Sequence, residues 1–194
     1  MRNYINDEIT NTIILLQSMF SNENLLTKIE SASLACVNAL QKGHKVLLAG
    51  NGGSAADAQH IAGEFVSRFN FDRPGLKAIA LTTDTSVLTA IGNDYGYHNV
   101  FARQIQALGE EGDVFIAYST SGKSPNILSA LEEANKQGLI CIGMTGANLG
   151  KMKDLCHYYL DIPSAHTPKI QEGHLVVGHI LCGLIEQSIF KRVL

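Results

Sequence analysis

The chain has 194 residues, of which 45% are hydrophobic and 17% are charged. This composition is typical of one compact globular domain and excludes an intrinsically disordered protein. The formal net charge of −3 indicates no basic surface for nucleic acid. We find no apolar run of the roughly 18–20 residues that crosses a bilayer and no signal peptide at residues 1–8, so we expect a cytoplasmic protein without membrane contact.

The chain has four cysteines and no Cys-x-x-Cys motif. Scattered cysteines in a core of this size are typical of buried, reduced thiols, so we assign them no role. The four are Cys36, Cys141, Cys156 and Cys182.

Residues 1–43 are predicted to form two helices, with a break at Ser21–Asn22. Four apolar residues fall on one face of the first helix: Ile5, Ile9, Ile13 and Leu16. This helical pair either covers the domain's own sheet or buries a face against another subunit. We favour the second alternative, because both helices are apolar for so small a domain.

Short apolar segments alternate with helical ones from residue 44 onward, which predicts βαβ units and a parallel sheet. The predicted strands are Lys45–Ala49, Ala78–Leu81, Asp113–Tyr118, Leu139–Met144 and Tyr158–Ile162. The predicted helices are Ser54–Phe69, Thr85–Ile91, Asn99–Leu108, Pro125–Gln137 and about Pro168 to Phe190. Residues 1–194 are therefore interpreted as one α/β domain, with its ligand at the carboxyl ends of the strands.

A glycine-rich loop, residues 50–53, follows the first predicted strand, and Ser54 is a candidate N-cap for the next helix. Such a helix start favours an anion, although a plain tight turn has the same pattern. A dinucleotide site is a weak alternative. The pattern Gly50-x-Gly52-x-x-Ala55 is present, but the acidic residue expected about 20 positions later is missing, because Asp84 lies 34 positions after Gly50.

The loop after the third predicted strand contains four hydroxyl side chains, Ser119, Thr120, Ser121 and Ser124. Pro125 suits the first turn of a helix that Ser124 caps. Hydroxyl donors, free backbone N–H groups and a helix N-terminus together match a phosphomonoester. The spacing is not that of a Walker loop. We therefore predict a phosphate site here.

Two helices carry candidates for proton transfer. His60 and Glu64 share a helix face, and Gln171 and His179 lie eight positions apart on the last helix. The first two alternatively form a surface pair, and His179 alternatively is a buried core residue with a partner. If Glu64 faced His179, the two would form an acid–base pair. Residues 92–96 indicate either a turn or a ligand contact, and the sequence favours neither.

These blocks resemble the sugar isomerase (SIS) domain family, and within it the bacterial phosphoheptose isomerases. The resemblance covers essentially the full length. It rests on GNGGSAADAQH (50–60) with Glu64, GNDYG (92–96), STSGKS (119–124), and KIQEGH with His179. It implies an SIS-type three-layer sandwich with a five-stranded parallel sheet flanked by helices. It also implies a homotetramer in which the N-terminal helices help to assemble active sites at subunit interfaces.

The resemblance implies conversion of sedoheptulose 7-phosphate to D-glycero-D-manno-heptose 7-phosphate, an early step in making lipopolysaccharide-core heptose. Glu64 and His179 match the family's catalytic pair, and we assign the carbon-bound proton to Glu64 and the oxygen side to His179. The positions matching substrate-binding residues are Asn51, Gly52, Gly53, Glu64, Asn93, Asp94, Ser119, Thr120, Ser121, Ser124 and Gln171.

Some family members bind zinc through residues that match His60, Glu64, Gln171 and His179. Histidine and carboxylate groups are ordinary zinc ligands and glutamine is an unusual one. We predict one zinc ion per subunit. Its necessity for catalysis stays open, because a metal-bound Glu64 is a poorer base.

Two other functions are considered. A non-catalytic tetrameric relative that binds the bacterial replication initiator departs from the isomerase pattern at the positions of Glu64 and His179, which are both retained here. Phosphosugar-sensing SIS modules usually accompany a DNA-binding domain, for which this chain has no room. The residues before Gln171 depart from the isomerases, because His166 lies where many relatives have an acidic residue, and this affects the expected sugar specificity.

Overall fold

The computed structural model describes residues 1–190. Its helices are α1 (Arg2–Phe20), α2 (Glu23–Gln41), α3 (Gly53–Val66), α4 (Thr85–Tyr95), α5 (Ala102–Leu108), α6 (Pro125–Lys136) and α7 (Thr167–Phe190). Its strands are β1 (Val46–Ala49), β2 (Ala78–Ala80), β3 (Val114–Tyr118), β4 (Ile140–Thr145) and β5 (Tyr158–Asp161). Each predicted strand is present, with ends within one residue of those expected. Residues 191–194 of the predicted domain lie outside the described part.

The five strands form one parallel sheet in the order β2-β1-β3-β4-β5, which confirms the predicted α/β class. The chain adds β2 on one side of β1 and then adds β3, β4 and β5 on the other. The carboxyl ends of β1 and β3 are therefore neighbours at the point where the strand order reverses, and Ala49 pairs with Ala117 there. In open α/β sheets this position is where ligands bind.

Alternate residues of the central strands face the two helical layers, as the two-residue period of a strand requires. Leu48 and Ile116 belong to the apolar cluster shared with α2, α3 and α7. Leu47 and Phe115 belong to the cluster shared with α5 and α6. The sheet is thus buried on both faces, which explains why its strands are continuous apolar runs.

Helix α1 buries only Leu15 and Met19. Its predicted apolar face does not cover the sheet, because Ile5, Ile9 and Ile13 are each at least half exposed, at 50%, 57% and 50%. Helix α2 instead covers this face of the sheet, and it buries Leu25 and Ile29 among other residues. Of the two alternatives for the helical pair, α2 therefore fits the cover over the domain's own sheet, whereas α1 does not.

Helix α7 is long and apolar enough to cross a membrane by length and composition, contrary to the expectation from the sequence. Its polar residues are spaced along 24 residues and therefore lower the mean hydropathy only slightly. The helix packs against α2, α3 and the sheet as a core helix, and it buries Val177, Leu181 and Ile185.

Three local expectations differ from the structure. Helix α3 begins at Gly53, so Gly52 and not Ser54 is its N-cap, and Ser54 is buried in the first turn. The 92–95 segment is the end of α4, and only Gly96 leaves the helix, at φ +82°. A 3₁₀ turn at Tyr97–Asn99 precedes α5, which begins at Ala102 and not at residue 99.

All four cysteines are free, and Cys36, Cys141 and Cys182 are buried as predicted, whereas Cys156 is half-buried. Burial raises the pKa of the Cys36 thiol to about 12, and it raises the pKa of each of the other three thiols to about the same value. The thiols are therefore protonated, unreactive groups at neutral pH.

Candidate active site

The glycine loop after β1 brings backbone close to the ligand position. Gly52 has φ +57°, in the left-handed region that favours glycine, and open space lies where its Cβ would be. A Cβ on Gly53 would lie 2.6 Å from Nε2 of Gln171, so the side-chain amide of Gln171 rests directly on this backbone. Gly52 is thus favoured by its backbone conformation, and Gly53 is required by the close approach of the Gln171 side chain.

Asn51 is fixed by a partner that the sequence did not reveal. Its side-chain nitrogen donates to Oδ1 of Asn126 at 2.9 Å, and the nitrogen of Asn126 donates to Oδ1 of Asn51 at 2.8 Å. The hydroxyl of Tyr97 also donates to Oδ1 of Asn51, at 3.4 Å. Asn126 lies in the first turn of α6, so this pair joins the β1 loop to the β3 loop.

The serine loop lies between β3 and α6, as predicted. Ser124 is the N-cap of α6 and Pro125 is its first residue. The Ser124 hydroxyl does not cap the helix but shares a hydrogen bond of 3.0 Å with the Ser119 hydroxyl. Hydroxyl groups and the positive end of a helix therefore lie side by side, which is an arrangement suited to a phosphate.

A pocket of about 300 Å³ lies between the two loops. Seven of the eleven predicted substrate-binding residues line it: Asn51, Gly52, Gly53, Ser119, Thr120, Ser124 and Gln171. Ser54, Tyr118 and Thr167 also line it and were not predicted. Ser54 had a signal in the sequence as part of the glycine-rich loop, and Thr167 had one as a residue at the start of the helix that carries Gln171, whereas Tyr118 had none.

Four predicted substrate-binding residues lie elsewhere. Ser121 lines an adjoining pocket of about 220 Å³ with Thr120 and Lys123. Asn93 and Asp94 are exposed on α4, where Asn93 donates to Oδ1 of Asp94 at 2.7 Å, and neither lines the pocket. Glu64 lies farther along α3, beside two histidines. A sequence motif shows which residues a family retains but not which of them meet within one subunit.

His60, Glu64 and His179 form a triad in which one potential ligand atom from each residue lies within 4.8 Å of the others. Nε2 of His60 is 3.1 Å from Oε1 of Glu64 and 3.2 Å from Nε2 of His179. The first pair is the predicted contact along one face of α3, and the second joins α3 to α7. The structure therefore brings together the two helices that the sequence alone could not connect.

The donor set of the triad fits zinc. Two imidazole nitrogens and one carboxylate oxygen are common zinc ligands, and their mutual separation allows one ion to contact all three. Gln171 lies eight positions before His179, about 12 Å along the axis of α7, and its amide packs on Gly53. The structure thus groups three of the four predicted ligands and places the fourth at the substrate pocket.

A carboxylate that was not predicted lies next to the triad. Asp57 precedes His60 by one helical turn, and its Oδ2 is buried with no hydrogen-bond partner among the described residues. Burial raises the pKa of Asp57, and the charge of His60 opposes that increase. The sequence could have indicated this residue, since positions 57, 60 and 64 follow one helical face.

His174 also lies on α7 but is separate from the triad. It is fully buried, and its Nε2 donates to the carbonyl oxygen of Thr145 at 3.1 Å. Burial lowers the pKa of His174 to about 4, and the hydrogen bond to Thr145 only partly opposes this. The residue is therefore a neutral structural group at physiological pH.

Comparison with known proteins gives one consistent family. The SIS domain matches residues 11–146. The phosphoheptose isomerase of Burkholderia pseudomallei (strain K96243) is 63% identical over 189 residues, which are 97% of this chain and 96% of that protein.

Solved structures agree with this result. A phosphoheptose isomerase from Francisella tularensis superposes with a TM-score of 0.91 at 38% identity. The match covers 95% of this chain and 97% of the Francisella chain. The phosphoheptose isomerase from Neisseria gonorrhoeae superposes with a TM-score of 0.89 at 37% identity. That match covers 96% of this chain and 98% of the Neisseria chain. The resemblance found in the sequence is confirmed, and the enzyme is favoured over the non-catalytic relative and the sensing module. The chain belongs to the SIS-domain family of phosphoheptose isomerases.

Proposed function

We propose that this chain converts sedoheptulose 7-phosphate to D-glycero-D-manno-heptose 7-phosphate, and so supplies heptose for the lipopolysaccharide core. One observation carries the proposal: the Glu64 carboxylate and the His179 imidazole lie in a cluster of atoms within 4.8 Å. The same two helices, α3 and α7, contribute Gly53 and Gln171 to the pocket formed with the serine loop. The same two helices thus hold both the proton-transfer groups and one side of the phosphate pocket.

The spacing of these features suits a long substrate. Gly53 and His60 are seven positions apart on α3, about 10 Å along the helix axis. A seven-carbon sugar bound by its 7-phosphate at Ser119 and Ser124 extends its C1 and C2 away from the phosphate. In that direction it passes Gln171 and reaches the triad, where the reaction takes place.

The reaction is an internal redox exchange that needs proton transfers and no external oxidant. Glu64 removes a proton from C1 of the open-chain ketose, which forms an enediol(ate), and delivers a proton to C2 after exchange with solvent. His179 takes the proton of the C1 hydroxyl and delivers one to the oxygen on C2. The C1 oxygen becomes the aldehyde, and the number of atoms and electrons is unchanged. Positioned general acids and bases contribute about 10²- to 10⁴-fold each to such steps.

We propose that His60, Glu64 and His179 hold one zinc ion; Gln171, the fourth predicted ligand, lies at the substrate pocket in this structure. When bound, zinc would act as a Lewis acid toward the substrate oxygens. The residues themselves also act without it: Nε2 of His60 donates a hydrogen bond to the Glu64 carboxylate and thereby orients it. Gln171 contacts the glycine loop and positions the sugar between the two ends of the site.

We propose that the protein is a homotetramer whose active sites lie at subunit interfaces. Two features support this. The apolar face of α1 is exposed at Ile5, Ile9 and Ile13, and so large an unpaired face is typical of a protein interface. His60 in the triad is also 44% exposed at its side chain, whereas enediol(ate) chemistry requires a site sheltered from water. A neighbouring subunit that covers both, and that supplies Asn93 and Asp94, would complete the site.

A cytoplasmic location is proposed as well. The four cysteines are free, and reduced thiols are typical of proteins in a reducing compartment.

The test of the function is direct. The purified protein is incubated with sedoheptulose 7-phosphate, and the aldose product is followed by NMR, with fructose 6-phosphate as the shorter comparison. We expect turnover of the seven-carbon ketose and little of the six-carbon one. The same assay after chelation and after zinc is restored measures whether the metal is required. No turnover of sedoheptulose 7-phosphate, with or without zinc, would refute the proposal.

A further inference from the structure

A buried ion pair joins the loop after α3 to helix α7. Nε of Arg73 donates to Oε1 of Glu186 at 3.0 Å, and the two side chains are only 2% and 0% exposed. The backbone N–H groups of Phe69 and Asn70 also donate to the Glu186 carboxylate, at 2.9 and 2.8 Å. Burial alone would raise the pKa of Glu186, but these three donors lower it below its ordinary value. The carboxylate is therefore ionised and fully engaged.

The guanidinium of Arg73 also closes the end of α3. Its Nη2 donates to the carbonyl oxygen of Glu64 at 2.8 Å, and its Nη1 donates to the carbonyl oxygens of Phe65 at 2.6 Å and Ser67 at 3.1 Å. The last carbonyls of a helix have no partner within the helix, and a cation there is favourable. Arg73 thus fixes the backbone of the residue that carries the catalytic carboxylate.

The same loop contacts the catalytic imidazole. The Phe69 ring lies against the His179 ring, with centroids 5.5 Å apart and planes tilted by 36°. The backbone of Phe69 is held by Glu186, which lies seven positions after His179 on the same face of α7. Glu186 therefore acts on His179 through Phe69 and on Glu64 through Arg73.

We propose that Arg73, Glu186 and Phe69 form a positioning clamp that sets the distance and orientation between Glu64 and His179. The clamp touches the backbone of one catalytic residue and the ring of the other, and it touches neither the serine loop nor the pocket beside it. It therefore acts on the proton-transfer step and not on phosphate binding. This inference rests on the proposed function for its kinetic consequence, but its structural consequence can be measured separately.

Two variants test the clamp. Glu186→Gln keeps the shape of the side chain but turns an N–H group toward the N–H groups of the loop. Phe69→Leu keeps an apolar side chain and the backbone hydrogen bond but removes the ring from His179. We expect kcat to fall at least tenfold in each, with KM changed less than twofold. We also expect the His179 ring Hε1 resonance to shift in ¹³C-histidine-labelled Glu186→Gln, which keeps the Phe69 ring and therefore its ring current.

The chain contains a matched control. Asp113 is also fully buried, and it too accepts hydrogen bonds from two backbone N–H groups, of Lys45 and Glu110, and from one cation, Lys45 Nζ at 2.7 Å. It precedes β3 and so lies at the opposite end of the sheet from the site. Asp113→Asn is expected to lower the unfolding temperature but to keep kcat and the His179 resonance of the wild type.

The outcomes separate the clamp from the proposed function. Wild-type kcat per folded protein in both variants, with an unshifted His179 resonance in Glu186→Gln, would overturn the clamp, as would equal losses of kcat in Asp113→Asn. If Glu186→Gln does not fold, Phe69→Leu alone decides. If the wild type has no turnover, the proposed function fails, and the His179 resonance then decides whether the clamp exists.

Discussion

Nε2 of His60 and Nε2 of His179 lie 3.2 Å apart, although 119 residues separate them in the chain. Their neighbours explain the approach, since a Cβ on Gly178 would lie 2.7 Å from Cδ1 of Ile61. The absence of a side chain at Gly178 therefore lets α3 and α7 pack closely at the level of the triad. The geometry of the triad thus depends on a core glycine that has no chemistry of its own.

Gly178→Ala is expected to separate α3 from α7. The added methyl group overpacks the contact with Ile61, which typically costs about 1–3 kcal/mol of stability. We expect a lower free energy of unfolding and a loss of turnover, measured by urea denaturation and by the isomerase assay. The control is Gly63→Ala on α3, where a Cβ would meet no atom within 4 Å and should stabilise the helix. Equal stability of the two variants would contradict this account of the packing.

Ser124→Ala is expected to weaken substrate binding. The hydroxyl shares a hydrogen bond with Ser119 in the pocket, and loss of one hydrogen bond typically costs about 1 kcal/mol, or roughly fivefold in binding. We predict a several-fold increase in KM with kcat nearly unchanged, and weaker binding of inorganic phosphate by calorimetry. Ser31→Ala on α2 is the control, because this half-buried hydroxyl donates to the carbonyl oxygen of Thr27 within its own helix. A fall in kcat at unchanged KM would show that Ser124 does not bind the phosphate.

The buried His174 makes stability depend on pH. Its pKa is about 4 in the folded chain against an ordinary value of 6.5, so between these values the unfolded chain binds the extra proton. Stability should therefore fall as the pH decreases below 6.5, by about 1.4 kcal/mol per unit and by roughly 2 kcal/mol at pH 5. At pH values above 6.5 His174 is neutral in both the folded and the unfolded chain, so it no longer makes the stability depend on pH.

His174→Gln removes the titrating group while keeping a donor for the Thr145 carbonyl. Urea denaturation at pH 8 and pH 5, at one protein concentration, measures the difference. Between pH 8 and pH 5 we expect the free energy of unfolding to fall by roughly 2 kcal/mol more in the wild type than in the variant. An identical pH dependence in both proteins would show that His174 does not titrate below its ordinary pKa.

Ile9→Glu is expected to break the assembly. Ile9 is 57% exposed in the middle of the α1 face that we assign to a subunit interface, and a carboxylate there would have to be buried without a partner. Sedimentation velocity should show smaller species than for the wild type. Thr10→Glu, on an exposed neighbouring position, is the control and should sediment like the wild type. A monomeric wild type would refute the shared site.

Local patterns in the sequence predicted much of this fold. The strands are short apolar runs that differ in period and length from the helices, so β1 and β3 and the two loops after them could be placed directly. The parallel-strand rule then predicted that both loops face the ligand. What the sequence lacked was the strand order, which makes β1 and β3 neighbours and brings Asn51 to Asn126.

The triad could not be derived from the residues alone, since helix periodicity connects His60 to Glu64 but says nothing about which face of α7 meets α3. The resemblance supplied that pairing, and the packing at Gly178 gives its physical cause. Ser54 was expected to be an N-cap because serine often is, yet Gly52 takes the position through its positive φ. The 92–95 segment was ambiguous since glycine and asparagine favour turns, but α4 extends over it.

We assign the transfer of the carbon-bound proton to Glu64. Turnover in deuterium oxide should give wild-type product that carries deuterium at C2, as detected by NMR. Glu64→Gln should bind the phosphosugar with nearly wild-type affinity and yet lose turnover and deuterium incorporation about 10²- to 10⁴-fold. Deuterium incorporation in Glu64→Gln at the wild-type rate would contradict the account, because the proton would then be moved by another group.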